Sequence, residues 1–133
     1  MKNTTTFDSH LRYIVLPVFV SSPTHDRYKF KAILDTGAPS TEFSDEALKY
    51  LGFLDNVNHN IVLKDGLQTQ KYDKIVLPDV EVCSQTVKNL EVYVSHFENS
   101  WGIKALIGLD FFRRFRVMID YPLGQILTEP YEQ

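Results

Sequence analysis

The stretch "KAILDTGAPSTEF", residues 31–43, decides how this chain is read. Ala32, Ile33 and Leu34 form an apolar run of the kind found in a buried strand, and the run ends on Asp35. Carboxylates are seldom driven to the edge of a core without a partner, because lost hydration costs more than an apolar neighbour returns. Thr36 and Gly37 follow, and glycine permits a tight turn at that point. A turn of this kind fixes a carboxylate on rigid backbone, as acid–base chemistry requires. Taken alone, the tripeptide is equally compatible with an Asx turn that closes a strand. The remainder of the chain has to choose between the two.

The chain has 133 residues, enough for one domain with a real core, and one domain over residues 1–133 is expected, its core spanning about 13–128. Hydrophobic residues make up 44% and charged residues 23%, the balance of an ordinary globular protein. The formal net charge of -3 and the scattered Lys and Arg give no basic stripe, so neither a nucleic acid nor an anionic membrane is expected as partner. Cys83 is the single cysteine, which rules out an intrachain disulfide and favours a reducing, cytoplasmic setting. The opening "MKNTTTFDSH" lacks the apolar centre of a signal peptide. "YIVLPVFV", residues 13–20, is too short to span a bilayer.

Strand patterns dominate. "YIVLPVFV" and "RYKFKAILD" read as two strands separated by the turn-rich "SSPTHD". "NIVLKDGLQTQKYDKIVLPDVEVC" reads as a hairpin with Asp65-Gly66 at its tip and Pro78 breaking its returning arm. "NLEVYV" and "KALIG" add strands, and "RVMIDYPLGQILTEP" closes the chain as a hairpin. Two short helices fit: "SDEALKYLG", with Ser44 as N-cap and Gly52 at its end, and "LDFFRRF", with Asp110 as N-cap. The expected fold is mostly β, with strands too short and too many for a doubly wound sheet. "KAILDTG" and "KALIG" echo each other, a lysine, an alanine and an apolar pair leading to a glycine, and hint at an internal duplication.

"AILDTGAPSTEFS" followed downstream by "ALIGLDFFRRFRVMIDYPLGQI" resembles the retroviral-type, or retropepsin-like, aspartic proteases. Ile33-Leu34-Asp35-Thr36-Gly37-Ala38 matches the family's first motif, Leu106-Ile107-Gly108 its second, and residues 110–115 its short helix. "IGLDFF" is closer to cellular and bacterial members than to viral ones, which usually carry an arginine where Leu109 stands. The resemblance implies a single-lobe acid-protease-like closed β-barrel or sandwich with one or two short helices.

The resemblance also implies a mechanism with half of its parts. Aspartic peptide hydrolysis uses two carboxylates that share one proton, and this chain holds one Asp-Thr-Gly. A homodimer is therefore expected, in which Asp35 meets Asp35 of a second copy of the chain and Thr36 locks the two loops together. Asp35, Thr36 and Gly37 are the expected catalytic residues. Ala38, Leu106 and Ile107 are expected to meet an extended peptide or protein substrate from one side. A flap over residues 60–77, with Asp65, Gly66 and Leu67 at its tip, would meet it from the other. No metal or organic cofactor is implied. The single glycine and the charges at that tip depart from the glycine-rich viral flap. Two other readings keep the fold: a non-catalytic dimerising or peptide-binding module, and a chain active only with a different partner.

Other residues fit ordinary roles. His10, His25, His59 and His96 stand apart and read as surface histidines. Cys83 has no neighbouring His or Cys and reads as an incidental thiol. Asp120 follows an apolar run without a Thr/Ser-Gly after it and reads as a turn residue. Trp101 reads as a packing or interface aromatic.

Overall fold

A computed structural model describes residues 2–56 and 70–131 of the chain. Alternation between buried and outward side chains builds the first barrel strands. Strand β2 (Val15–Ser21) turns Leu16, Val18 and Val20 inward, and Pro17 and Phe19 outward. It pairs antiparallel with β3 (Arg27–Leu34), register Val15↔Ile33 to Ser21↔Arg27. Strand β4 (Glu42–Ser44) leads directly into helix α1 (Asp45–Leu51). The Ser44 hydroxyl accepts from the Ala47 N–H at 3.3 Å, and Gly52 ends the helix at a φ of 96°, as the capping pattern predicts.

Strands β5 (Lys71–Val82) and β6 (Gln85–Ser95) form a long antiparallel hairpin. Cys83 and Ser84 connect them at φ of 53° and 60°, the double left-handed geometry of a two-residue hairpin loop. Pro78 does not break this arm, contrary to the sequence expectation. Pairing continues on both sides of it, at Leu77↔Leu90 and Asp79↔Lys88, and Asn89 opposite takes a φ of 52°. A local irregularity in the facing strand thus accommodates the missing N–H.

A short 3₁₀ turn (Asn99–Trp101) precedes strand β7 (Ala105–Ile107) and helix α2 (Leu109–Phe112). Six strands close a barrel in the order β2-β3-β7-β4-β6-β5, sealed by antiparallel pairing of β2 with β5 at Val18↔Val82. Closure leaves the barrel no free sheet edge. Strands β8 (Phe115–Asp120) and β9 (Gln125–Pro130) form the terminal hairpin. The polar segment β1 (Asn3–Thr6), with no strand expected from its sequence, pairs with β9 to complete a separate three-stranded sheet, β1-β9-β8.

The main core fills the barrel with Leu16, Val18, Val20, Phe43, Leu48, Val92, Ile107 and Phe111 among others, all essentially inaccessible. Truncating a fully buried ring such as Phe43 to alanine costs about 3–5 kcal/mol in cores of this kind. A smaller cluster lies apart from it: Ile33, Phe97, Ile103 and Leu106, with Ala38 and Trp101 packed against them. Strand alternation creates this division, since Ala32 and Leu34 face the barrel interior while Ile33 faces the opposite side. That second cluster forms the floor beside Asp35.

Candidate active site

The two echoing segments lie side by side. Strands β3 and β7 run parallel with Ala32↔Ala105, Ile33↔Leu106 and Leu34↔Ile107, so each residue of "KAIL" meets its counterpart in "KALI". The Lys104 N–H donates to the Lys31 carbonyl at 2.8 Å and extends the match to the lysines. Asp35 continues the ladder, its N–H donating to the Ile107 carbonyl at 2.9 Å. The carboxylate therefore rides on a strand end held from both sides, since the Leu34 N–H donates to the Ile14 carbonyl at 3.0 Å.

The turn itself is tied to the carboxylate. The Gly37 N–H donates to Asp35 Oδ1 at 2.9 Å, and the Ala38 N–H donates to the Asp35 carbonyl at 3.2 Å. An ideal Cβ on Gly37 would stand 3.3 Å from Asp35 Oδ1, so a side chain there would press on the acid. Asp35 is half-buried, and Thr36 and Gly37 are exposed. The loop thus presents its acid and hydroxyl outward at the barrel's surface.

Beyond the turn, the chain is locked against the start of α2. The Leu109 N–H donates to the Ala38 carbonyl at 2.8 Å, and the Asp110 N–H to the Pro39 carbonyl at 3.2 Å. These donors have no partner within the helix, and the loop supplies one. The contact requires Gly108: a Cβ there would meet the Ala38 carbonyl oxygen at 2.7 Å and the Ser40 carbonyl oxygen at 2.8 Å. Gly108 is also the N-cap of α2, with no side-chain cap, so Asp110 is not the cap expected from the sequence. Its carboxylate turns instead to buried Thr41. It accepts from the Thr41 hydroxyl at 2.7 Å (Oδ1) and from the Thr41 N–H at 2.9 Å (Oδ2). The Gly108 N–H donates in turn to Thr41 Oγ1 at 3.1 Å. Thr41 and Asp110 were not among the sequence-derived site residues. Their signal, a threonine six positions after Asp35 and an acid two after Gly108, has meaning only once the two segments are docked.

The expected substrate-facing residues divide. Leu106 and Ala38 belong to the small cluster beside Asp35. Ile107 does not face outward: strand alternation sends its side chain into the barrel core, fully buried, and it reaches the site only through the carbonyl that receives the Asp35 N–H. The flap tip residues Asp65, Gly66 and Leu67 lie outside the described residues, which resume at Gln70, just before β5.

A second polar centre lies at the other end of β4, which Thr41 precedes and Asp45 follows. Asp45 is fully buried at the start of α1. It accepts from the Tyr72 hydroxyl at 2.9 Å and the Glu46 N–H at 2.8 Å, and its Oδ1 sits 3.1 Å from His96 Nδ1. Tyr72 occupies a register shift between Lys71 and Asp73, which re-aims its ring toward α1. His96 is therefore not the free surface histidine expected from sequence: its side chain is 21% exposed and also lies 3.8 Å from Glu98. Asp120 accepts from the Leu123 N–H at 3.0 Å and closes the last hairpin. Among the described residues no group of three or more His, Cys, Asp or Glu is arranged to hold a metal.

A closed six-stranded barrel carrying one Asp-Thr-Gly turn beside a Gly-capped helix defines the single lobe of an acid protease. The chain belongs to the family described as "gag-polyprotein putative aspartyl protease", whose model matches residues 24–114. The fold is also that of a retropepsin-like aspartic protease from Rickettsia conorii, with a TM-score of 0.67 and 19% identity, covering 98% of this chain and 91% of that one. It is likewise that of the retroviral protease-like domain of Ddi1 from Leishmania major, with a TM-score of 0.58 and 17% identity, covering 92% and 96%. No curated protein matches the sequence. Among the described residues no helix is long and apolar enough to cross a membrane.

Proposed function

We propose that the chain is an aspartic endopeptidase whose active site is completed by a second copy of itself. The observation that carries this reading is Asp35, presented at the barrel surface on a turn anchored to β7 and α2, with no second Asp-Thr-Gly in the chain to serve it. In the dimer the two Asp35 carboxylates share one proton, because like charges about 3 Å apart cannot both ionise. The ionised carboxylate removes a proton from a water, whose oxygen attacks the peptide carbonyl. The protonated carboxyl donates to the carbonyl oxygen, giving a tetrahedral diol. Collapse breaks the C–N bond, the amine leaves with a proton, and the dyad returns to its single-proton state.

Thr36, exposed beside Asp35, holds the two turns to one another, and Ala38 and Leu106 flank the substrate, which lies extended as a strand. A reducing, cytoplasmic setting belongs to the same proposal and rests on the buried free thiol of Cys83.

The test is cleavage of a mixed peptide library across the acid range by the wild-type chain and by Asp35→Asn. Cleavage by the first and none by the second supports the reading. Equal inertness at protein concentrations where the chain is a dimer supports a non-catalytic peptide-binding module in its place.

A further inference from the structure

A cavity of about 380 Å³ is bounded by Arg12, Tyr13, Val15, Lys31, Trp101 and Ile103. Register fixes its position relative to the acid. Val15 pairs with Ile33, and the Leu34 N–H binds the Ile14 carbonyl, so the chain before β2 runs alongside the end of β3 that leads into Asp35. Lys31, Ile33 and Asp35 alternate along one face, whereas Ala32 and Leu34 face the barrel interior. Ile33, Ile103 and Leu106 with Trp101 make a continuous apolar floor between the acid and the cavity. The cavity therefore shares the carboxylate's side of the sheet.

Its charge is opposite to that of the chain as a whole. The protein carries a net charge of -3, yet the cavity has two cations, Arg12 and Lys31, and no carboxylate among its described lining residues. Neither cation makes an ion pair with any described residue. Trp101 is set as a wall by its edge-on contact with buried Phe97, ring centroids 5.7 Å apart at 67°. Tyr13 is 46% exposed and offers a ring face and a hydroxyl. Two cations without an ion-pair partner among the described residues, set over an apolar floor with aromatic walls, suit a side chain that has a methylene stem and a carboxylate end.

We propose that this cavity is a specificity site that takes an acidic side chain, glutamate or aspartate, from the peptide lying across Asp35. The proposal rests on the peptidase reading for the identity of its ligand, and its test does not depend on turnover. Trp101 is the chain's one tryptophan, so its emission reports occupancy of this cavity. Short extended peptides that differ only in Glu, Gln or Lys at a scanned position are titrated into the full-length Asp35→Asn chain, with far-UV circular dichroism confirming the fold of every variant.

At the position that enters the cavity, the Glu peptide is expected to bind roughly three- to tenfold tighter than the Gln peptide and to shift Trp101 emission; the range allows for solvent screening of the two cations. Arg12→Gln with Lys31→Gln erases the difference, and Lys31→Glu reverses it in favour of Lys. Equal binding of Glu and Gln peptides at every position, unmoved Trp101 emission, or a preference that survives both Gln substitutions overturns the proposal. Acid-selective binding with a wild-type chain that cleaves nothing leaves the cavity assigned and removes the peptidase reading. Cleavage without acid preference does the reverse.

Discussion

Thr41 and Asp110, separated by 69 positions, hold each other at two points: hydroxyl to Oδ1 at 2.7 Å and N–H to Oδ2 at 2.9 Å. With the Gly108 N–H bound to the same hydroxyl, this pair fastens the segment leaving Asp35 to the start of α2. Asp110→Ala removes the acceptor for two donors of buried Thr41 and is expected to cost about 2–4 kcal/mol. Urea unfolding at constant m-value measures it. Thr41→Val, which keeps the shape and removes the hydroxyl, should destabilise by a comparable amount, because the Gly108 N–H loses its acceptor and Asp110 Oδ1 its donor.

Gly108 is fixed by close approach rather than by an unusual φ, which is -102°. Gly108→Ala places a methyl group within 2.9 Å of three backbone atoms of the loop that follows Asp35, and backbone cannot rotate aside as a side-chain tip can. The expected outcome is a loss of about 2–3 kcal/mol or more in thermal or urea unfolding, together with loss of peptide cleavage. An alanine variant as stable as wild type would show that the loop has a second conformation.

Asp45 gathers α1, the start of β5 and the segment just after β6 through Glu46, Tyr72 and His96. Asp45→Ala removes the acceptor that those partly buried groups share and is expected to cost about 2–3 kcal/mol. Tyr72→Phe, which removes one of the bonds, should cost about 1 kcal/mol. Comparing the two unfolding midpoints checks the ranking.

Burial pushes the Cys83 thiol up to about 11, against a weaker opposing hydrogen bond from Thr5. The thiol is neutral in both folded and unfolded chains below the ordinary value of 9.0, and at higher pH the unfolded chain ionises first. Stability is therefore expected to fall as pH rises from about 9 to about 11, and Cys83→Ala should lack this limb of the unfolding curve. In the native state the thiol should resist alkylation at neutral pH.

Much of the site was readable from sequence because its requirements are local. The apolar run before Asp35 and the glycine after it specify a strand ending in a tight turn, and Ser44 with Gly52 marks both ends of α1. The two echoing segments, "KAILDTG" and "KALIG", lie paired in register. What escaped depends on partners distant in the chain. The polar β1 becomes a strand only because β9 offers it an edge. Asp110 looked like a helix cap because the sequence does not show Thr41 beside it, and His96 looked free for the same reason with respect to Asp45. Ile107 was placed against substrate by its neighbourhood to Leu106, but alternate residues of a strand face opposite sides, so only one of the two can line the site.

The central claim is that each active site needs two copies of Asp35. Mixing wild-type chain with inactive Asp35→Asn, allowing subunits to exchange and measuring peptide cleavage tests it directly. If both carboxylates are required, activity follows the square of the wild-type fraction and an equal mixture retains about a quarter of the wild-type rate. A rate that falls only in proportion to the wild-type fraction, or cleavage by Asp35→Asn alone, contradicts the account.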